Sequence, residues 1–314
     1  MQPIGHLIQH ASTAPFYKRR FGSLGTDAVF HSKGFAEKIP TMTLEELVAE
    51  KIRSGDPYSL RCAKGRLPLV VFQLEYDTET ALYVALDRDD LKHYAEALRR
   101  CWSLLGLKRG DRVAIFDYGT SPVSYLASSL FTPYLKQGAA DLLGCLPICN
   151  DGVSHMARRA VDIARLVRPR VFFIRNDCLQ PFTAEVEREG LRLSDYTLFL
   201  VAVENEGLLS KTEQGAFERK LGVPVYRLLR MDAAMFLAME CPECRLLHSW
   251  QDLYLVESVA ERIEEQVDNE KEHRLVITNR FARTCPTLRY LSQIKGSLEP
   301  AGCPRGPKEY RIAT

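Results

Sequence analysis

The chain has 314 residues, 46% of them apolar and 26% charged, with 42 basic against 40 acidic side chains and a net charge of +2. That length carries one large α/β domain or two ordinary ones, and the composition is that of a globular protein, which excludes disordered and fibrous classes. The near-neutral balance gives no whole-chain case for nucleic acid or an anionic membrane, and the longest strongly apolar run, residues 198–203, is far too short to cross a bilayer. The first residues lack a basic region followed by an apolar run, so no secretory leader is expected, and the nine cysteines read as reduced thiols of a cytoplasmic protein.

Residues 1–66 read as a helical and irregular leader to a domain that continues through 67–314. Within it Thr43 and Glu46 form the capping box of an apolar-periodic helix. Residues 67–74 are β-branched and aromatic enough for a buried strand. The following segment, Glu75 to Val84, has three carboxylates and no glycine. Residues 89–105 predict an amphipathic helix, with Leu91, Tyr94, Ala95, Leu98, Trp102 and Leu105 on one face. A strand at 112–116, a helix at 122–137, a strand at 142–148, a helix at 154–167 and a strand at 169–174 come next. Strands alternating with helices predict a parallel sheet covered on both faces. A strand at 196–203 ends on Glu204, a helix follows at 212–220, and further strands fall at 223–228, 252–257 and 274–279. The charge-dense stretch 261–272 reads as exposed helix and loop.

Two places bear on chemistry. Asp117 and Tyr118 stand at a strand's carboxyl end, where open α/β sheets bind ligands, although an ordinary strand-to-helix cap explains them equally well. Cys241-x-x-Cys244-x-x-x-His248 offers three metal ligands within eight residues, and Cys303, in a Pro/Gly turn, is the natural fourth. The alternative is a set of unrelated thiols, because a lone Cys-x-x-Cys is common. Asp151, Ser154 and His155 suggest a triad, but helix capping accounts for the first two and no nucleophile elbow is present.

Residues 222–257 resemble the heart of phenylacetate–CoA ligase-like adenylate-forming enzymes, in which a Tyr-Gly-x-Ser/Thr-Glu signature precedes a Gly-Leu-His-x-x-x-Asp segment. Tyr226, Leu228, Leu247, His248 and Asp252 match, while the signature's Gly and Glu positions hold Arg227 and Arg230. The resemblance extends from the Pro15-Phe-Tyr-Lys-Arg segment to Cys285-Pro-Thr-Leu-Arg-Tyr290 and Gly302-Cys-Pro-Arg-Gly306. It implies layered α/β sheets flanked by helices, as in the large N-terminal domain of these enzymes, with the small C-terminal domain expected to be absent.

It also implies site residues. Asp117 and Tyr118 fall near the acyl substrate, Glu204 and Arg289 near the nucleotide, and Tyr226 and Arg230 in the signature. These six are the ligand-pocket candidates. Some members carry a structural zinc, which the resemblance carries to Cys241, Cys244, His248 and Cys303. Against this frame, the phosphate loop is replaced by the acidic 75–79 segment, and Ser292-Gln293-Ile294 stand where a ribose-binding Asp is expected. The expectation is therefore a degenerate ligase that does not use ATP and serves as a binding, partner or scaffold subunit, with a protein partner or homodimer, a small aryl or acyl ligand as a further candidate, and no nucleic acid or membrane. The alternatives are an enzyme that reuses an aryl or acyl pocket for other chemistry, or one part of a split ligase.

Overall fold

The computed structural model describes residues 4–21, 32–74, 81–261, 272–300, 303 and 309–314. The chain forms two compact units. The first comprises Met1–His93, Met231–Phe236 and Ser249–Thr314, and the second Tyr94–Arg230 and Leu237–His248.

The first unit opens with helices α1 (Ile4–Ala11), α2 (Pro15–Arg20), α3 (Ser32–Lys38) and α4 (Leu44–Ser54). The capping box expected at α4 is present. Thr43 Oγ1 accepts from Glu46 N at 3.3 Å, and Glu46 Oε2 accepts from Thr43 N at 3.0 Å. Gly55 ends the helix at φ 70°, a left-handed conformation that glycine adopts without strain. Tyr17 of α2 is fully buried; its hydroxyl donates to Pro286 O at 2.9 Å and accepts from Leu288 N at 3.1 Å, tying the leader to a distant loop. Strands β1 (Val70–Leu74) and β2 (Leu82–Leu86) pair antiparallel, and α5 (Arg88–Leu104) follows. The acidic segment expected in place of a phosphate loop lies mostly at 75–80, outside the described residues.

The second unit contains β3 (Arg112–Asp117), α6 (Pro122–Tyr125), α7 (Ala139–Leu143), β4 (Leu146–Asp151), α8 (Ala157–Val167), β5 (Val171–Arg175), α9 (Asn176–Arg188), β6 (Phe199–Asn205), α10 (Lys211–Leu221), β7 (Val225–Met231), β8 (Phe236–Glu240) and β9 (Leu247–Trp250). The strands lie in the order β9-β8-β7-β6-β5-β3-β4. Strands β4, β3, β5, β6 and β7 run parallel, as the alternation predicts, and β8 and β9 form an antiparallel hairpin. Successive residues of β5 face opposite sides of the sheet. Phe172 packs on Phe182 of α9 with ring centroids 5.4 Å apart, whereas Phe173 stacks on Trp102 of α5 at 5.3 Å. Ala160, Val161 and Ala164 of α8 and Leu179 and Val186 of α9 complete the core over Phe116, Ile174 and Leu200.

Three expectations are corrected here. The helix expected over 122–137 stops at Tyr125, because the chain folds back on Asp141, whose carboxylate accepts from Ser128 Oγ, Ser129 N and Gly138 N at 2.7–2.8 Å. A Cβ on Gly138 would meet Ser128 N at 2.4 Å, so only glycine permits that approach. The strand expected from residue 142 starts at Leu146, since Leu142 and Leu143 close α7 before Gly144 turns at φ 70°. Helix α9 was not expected at all: Pro181 interrupts its pattern, yet Cys178, Leu179, Phe182 and Val186 bury one continuous face.

The chain ends in the first unit with β10 (Tyr254–Glu261), β11 (Glu272–Asn279) and β12 (Tyr290–Lys295), an antiparallel sheet in that order, and the short pair β13 (Ser297–Leu298) and β14 (Glu309–Ala313). The charge-dense segment expected as helix and loop lies at 262–271 outside the described residues; its flanks belong to β10 and β11.

Candidate functional site

The carboxyl ends of the parallel strands in the second unit gather the polar side chains singled out in the sequence. Asp117 pairs in register with Asp151, Arg175 with Val203, Glu204 with Leu229 and Asn205 with Arg230. Strand β3 lies between β4 and β5, so the connection order reverses there, the place where open sheets receive ligands.

Asp117 is buried, and both carboxylate oxygens are occupied. Oδ1 accepts from Tyr118 N at 2.8 Å; Oδ2 accepts from Ser121 Oγ at 2.7 Å and from Arg230 Nη1 at 3.0 Å. Arg230 stands on β7, with β5 and β6 between it and β3. Its guanidinium therefore crosses the ends of two strands to reach Asp117, and the side chains are 11% and 0% exposed. Charge-assisted bonds of this kind are short and directional, and removing one partner of a buried pair leaves an uncompensated charge.

The neighbouring groups are likewise engaged. The Arg175 guanidinium lies 3.8 Å from the centroid of the Tyr118 ring and grips Asp177 with two nitrogens. Glu204 Oε2 accepts from Asn176 Nδ2 at 2.6 Å, and burial pushes its carboxyl above the ordinary range. A Cβ on Gly207 would fall 2.2 Å from Glu204 Oε1, so the loop after β6 closes directly over this carboxylate.

Beside Asp117 a cavity of about 110 Å³ is lined by Gly119, Cys149, Asn150, Asp151 and Arg159. Asn150 is 5% exposed, and neither its amide nitrogen nor its oxygen has a hydrogen-bond partner among the described residues. Burial pushes the Cys149 thiol up to about 12, which leaves it an unreactive neutral group.

Asp117, Tyr118, Glu204 and Arg230 are thus brought to one sheet edge. Tyr226 is not, because it occupies the start of β7. Its ring lies 5.7 Å from Phe199 and under the Arg245 guanidinium at 4.9 Å. Arg289 belongs to the first unit, at φ 50°. It is committed to structural partners: Nε donates to Glu257 Oε2 at 3.1 Å, and Nη1 donates to Ala36 O at 2.7 Å and to Ile39 O. Arg175 and Asn150 were missed in the sequence; their positions at the ends of β5 and β4 were the available signal.

The Cys-x-x-Cys knuckle is the turn of the β8–β9 hairpin, in which Met239 pairs with His248 and Glu240 with Leu247. Cys241 N donates to Leu246 O at 2.9 Å, Arg245 N donates to Cys241 O at 2.9 Å, and Arg245 takes φ 58° to complete the turn. This loop brings Cys244 Sγ to 3.1 Å from His248 Nε2, while Cys241 and His248 are buried. Within the second unit the ligand atoms of Cys241, Cys244 and His248 all lie within 4.8 Å of one another, and Cys303 belongs to the first unit. Two thiols and an imidazole at that spacing are able to hold a metal ion, and soft sulfur donors select zinc-like ions over magnesium or calcium.

No family model matches the chain, and no curated protein matches it. Solved structures do. An open conformation of 2-hydroxyisobutyryl-CoA ligase in complex with 2-HIB-AMP and CoA superposes with a TM-score of 0.80 at 18% identity, over 99% of this chain and 71% of that one. The same ligase in its postadenylation state with 2-HIB-AMP gives 0.80 at 17%, over 98% and 64%. Its thioesterification state gives 0.80 at 18%, over 98% and 65%. The chain therefore has the fold of an adenylate-forming CoA ligase and spans 64–71% of the length of these structures.

Proposed function

We propose that this chain is a ligase-like protein that has lost ATP-dependent carboxylate adenylation and serves as a binding or partner subunit, with a structural zinc on Cys241, Cys244, His248 and Cys303. The observation that carries this reading is the buried pair of Arg230 with Asp117. At the position where the resemblance expects a magnesium-binding carboxylate, a guanidinium instead spans the strand ends. A magnesium ion entering there would meet a cation where it needs a carboxylate ligand, and any ligand that draws Arg230 away from Asp117 would have to break a buried ion pair, at a cost of about 3–5 kcal/mol. Without a metal, phosphoryl displacement loses most of its charge stabilisation. Leu130, Phe131 and Tyr134, exposed within one short segment of the second unit, are the kind of apolar surface a protein partner covers.

The test is calorimetry with Mg-ATP followed by pyrophosphate exchange across a panel of aryl, hydroxy and fatty acids. Neither saturable binding nor exchange is expected from folded protein. Acid-dependent exchange would overturn the proposal.

A second reading is an enzyme of different chemistry. The small cavity beside Asp117 favours it, because the buried Asn150 amide there awaits a donor and an acceptor. A small polar ligand that protects this cavity and raises the melting temperature would favour this reading over the scaffold.

A further inference from the structure

At the amino ends of the parallel strands, the second unit gathers a set of arginines that the candidate site does not use. Arg112 opens β3, Arg168 and Arg170 flank Pro169 just before β5, and Leu198 precedes β6. Val113 pairs with Val171, and Val171 with Phe199, so these three strand entrances lie side by side. Arg170 N donates to Arg112 O at 2.8 Å, and Leu198 N donates to Arg170 O at 3.1 Å, which ties the three backbones together. A cavity of about 250 Å³ opens there, lined by these residues together with Asp111, Asp195 and Tyr196.

The charges around it do not cancel. Asp195 is matched by Arg192, whose Nε donates to its two oxygens at 2.9 and 3.0 Å. Asp111 is matched by Arg170, whose Nε approaches Oδ2 at 3.4 Å. The same oxygen accepts from Lys108 N at 2.7 Å, and Arg170 Nε is left without an aligned hydrogen bond. Arg112 and Arg168 are exposed and form no ion pair among the described residues. Arg168 lies over the Tyr196 ring, 5.4 Å from its centroid, which holds the guanidinium at the cavity wall. Two guanidinium charges on this cavity are therefore in excess. Each presents a planar fork of N–H donors that fits the oxygens of a phosphate.

We propose that this cavity binds the phosphate group of a small phosphate monoester. Such a group carries a charge of about −1.5 to −2 at pH 7, which the excess of Arg112 and Arg168 matches. Both side chains donate to the phosphate oxygens, while Tyr196 and the part-exposed Leu198 cover the organic part of the ester. The volume lies just under the range of about 300–1,000 Å³ that holds drug-sized ligands, so the ester is small. The cavity is at the opposite end of β3 from Asp117, away from the carboxyl ends where open sheets take their usual ligands. It is independent of the ATP and zinc readings.

The experiment titrates the full chain with phenyl phosphate by calorimetry at fixed ionic strength, with inorganic phosphate and sulfate as comparisons. Saturable binding of one equivalent of phenyl phosphate is expected, tighter than that of either inorganic ion. Arg112→Gln and Arg168→Gln should each weaken it about tenfold, because each removes a charged donor to the phosphate. Arg168→Lys keeps the charge but not the fork and should recover only part of the loss. Both arginines are exposed, so melting temperatures close to wild type are expected and confirm folded variants. Phenylglyoxal modification mapped by mass spectrometry gives a second readout. Phenyl phosphate should protect Arg112 and Arg168 and leave the solvent-facing Arg53 reactive. Absence of saturable binding would overturn the proposal, as would unchanged affinity in the Arg112→Gln/Arg168→Gln double variant. Inorganic phosphate binding as tightly as phenyl phosphate would overturn the assignment to a monoester.

Discussion

Arg227 Nε donates to Glu240 Oε2 at 3.1 Å, with the two side chains 4% and 0% exposed. The same oxygen accepts from Arg227 N at 3.1 Å and Gln214 Nε2 at 2.8 Å, and Oε1 accepts from Lys211 Nζ at 3.3 Å. One carboxylate thereby joins α10, β7 and β8, directly before the Cys241 knuckle. Arg227 and Arg230, which stand where the resemblance expects Gly and Glu, are both consumed by internal ion pairs.

Glu240→Ala should therefore destabilise the protein by about 3–5 kcal/mol, because it strands a buried guanidinium. Arg53→Ala, which breaks the solvent-facing Arg53–Glu50 pair, should change stability by less than about 1 kcal/mol. Urea denaturation of the two variants checks the contrast. Equal losses would remove the special role given to Glu240.

Protein purified without added zinc should contain about one equivalent of metal, since the four ligands proposed above would close a single tetrahedral site. Cys241→Ser should lower both metal content and melting temperature, as metal binding at such sites contributes directly to folding. Metal analysis returning none would refute the zinc assignment.

Thr43→Ala should cost about 1 kcal/mol, the ordinary value of an N-cap, by removing the acceptor for Glu46 N. Thr43→Ser should recover most of it, and thermal melts of the pair supply the measurement.

Glu204 gives a pH dependence of definite sign. Burial raises its folded-state pKa above the unfolded value, so the folded protein holds the proton more tightly. The associated stability is complete below the ordinary carboxylate range and is lost as pH rises through the folded value. Glu204→Gln should flatten that decline and gain relative to wild type above it. A variant that tracks wild type from acid to neutral pH would show that Glu204 does not titrate in this way.

The sequence by itself determined what short-range physics controls. The Thr43–Glu46 box, the alternation that makes the sheet parallel and the Cys241–Cys244–His248 spacing are each set within a few residues, where caps, periodicity and turns act. Tertiary structure decided the rest. Asp117 and Arg230 are 113 residues apart, and only the strand order brings them together. The resemblance places Arg289 near the nucleotide, and the fold gives its guanidinium the carbonyls of Ala36 and Ile39 as partners. The segment after Tyr125 lost its helix to Asp141, and Pro181 was absorbed into α9 because the buried face beneath it outweighed one missing hydrogen bond. In each case a residue's role depends on which distant group fills its charge or covers its surface, and local pattern carries no information about that partner.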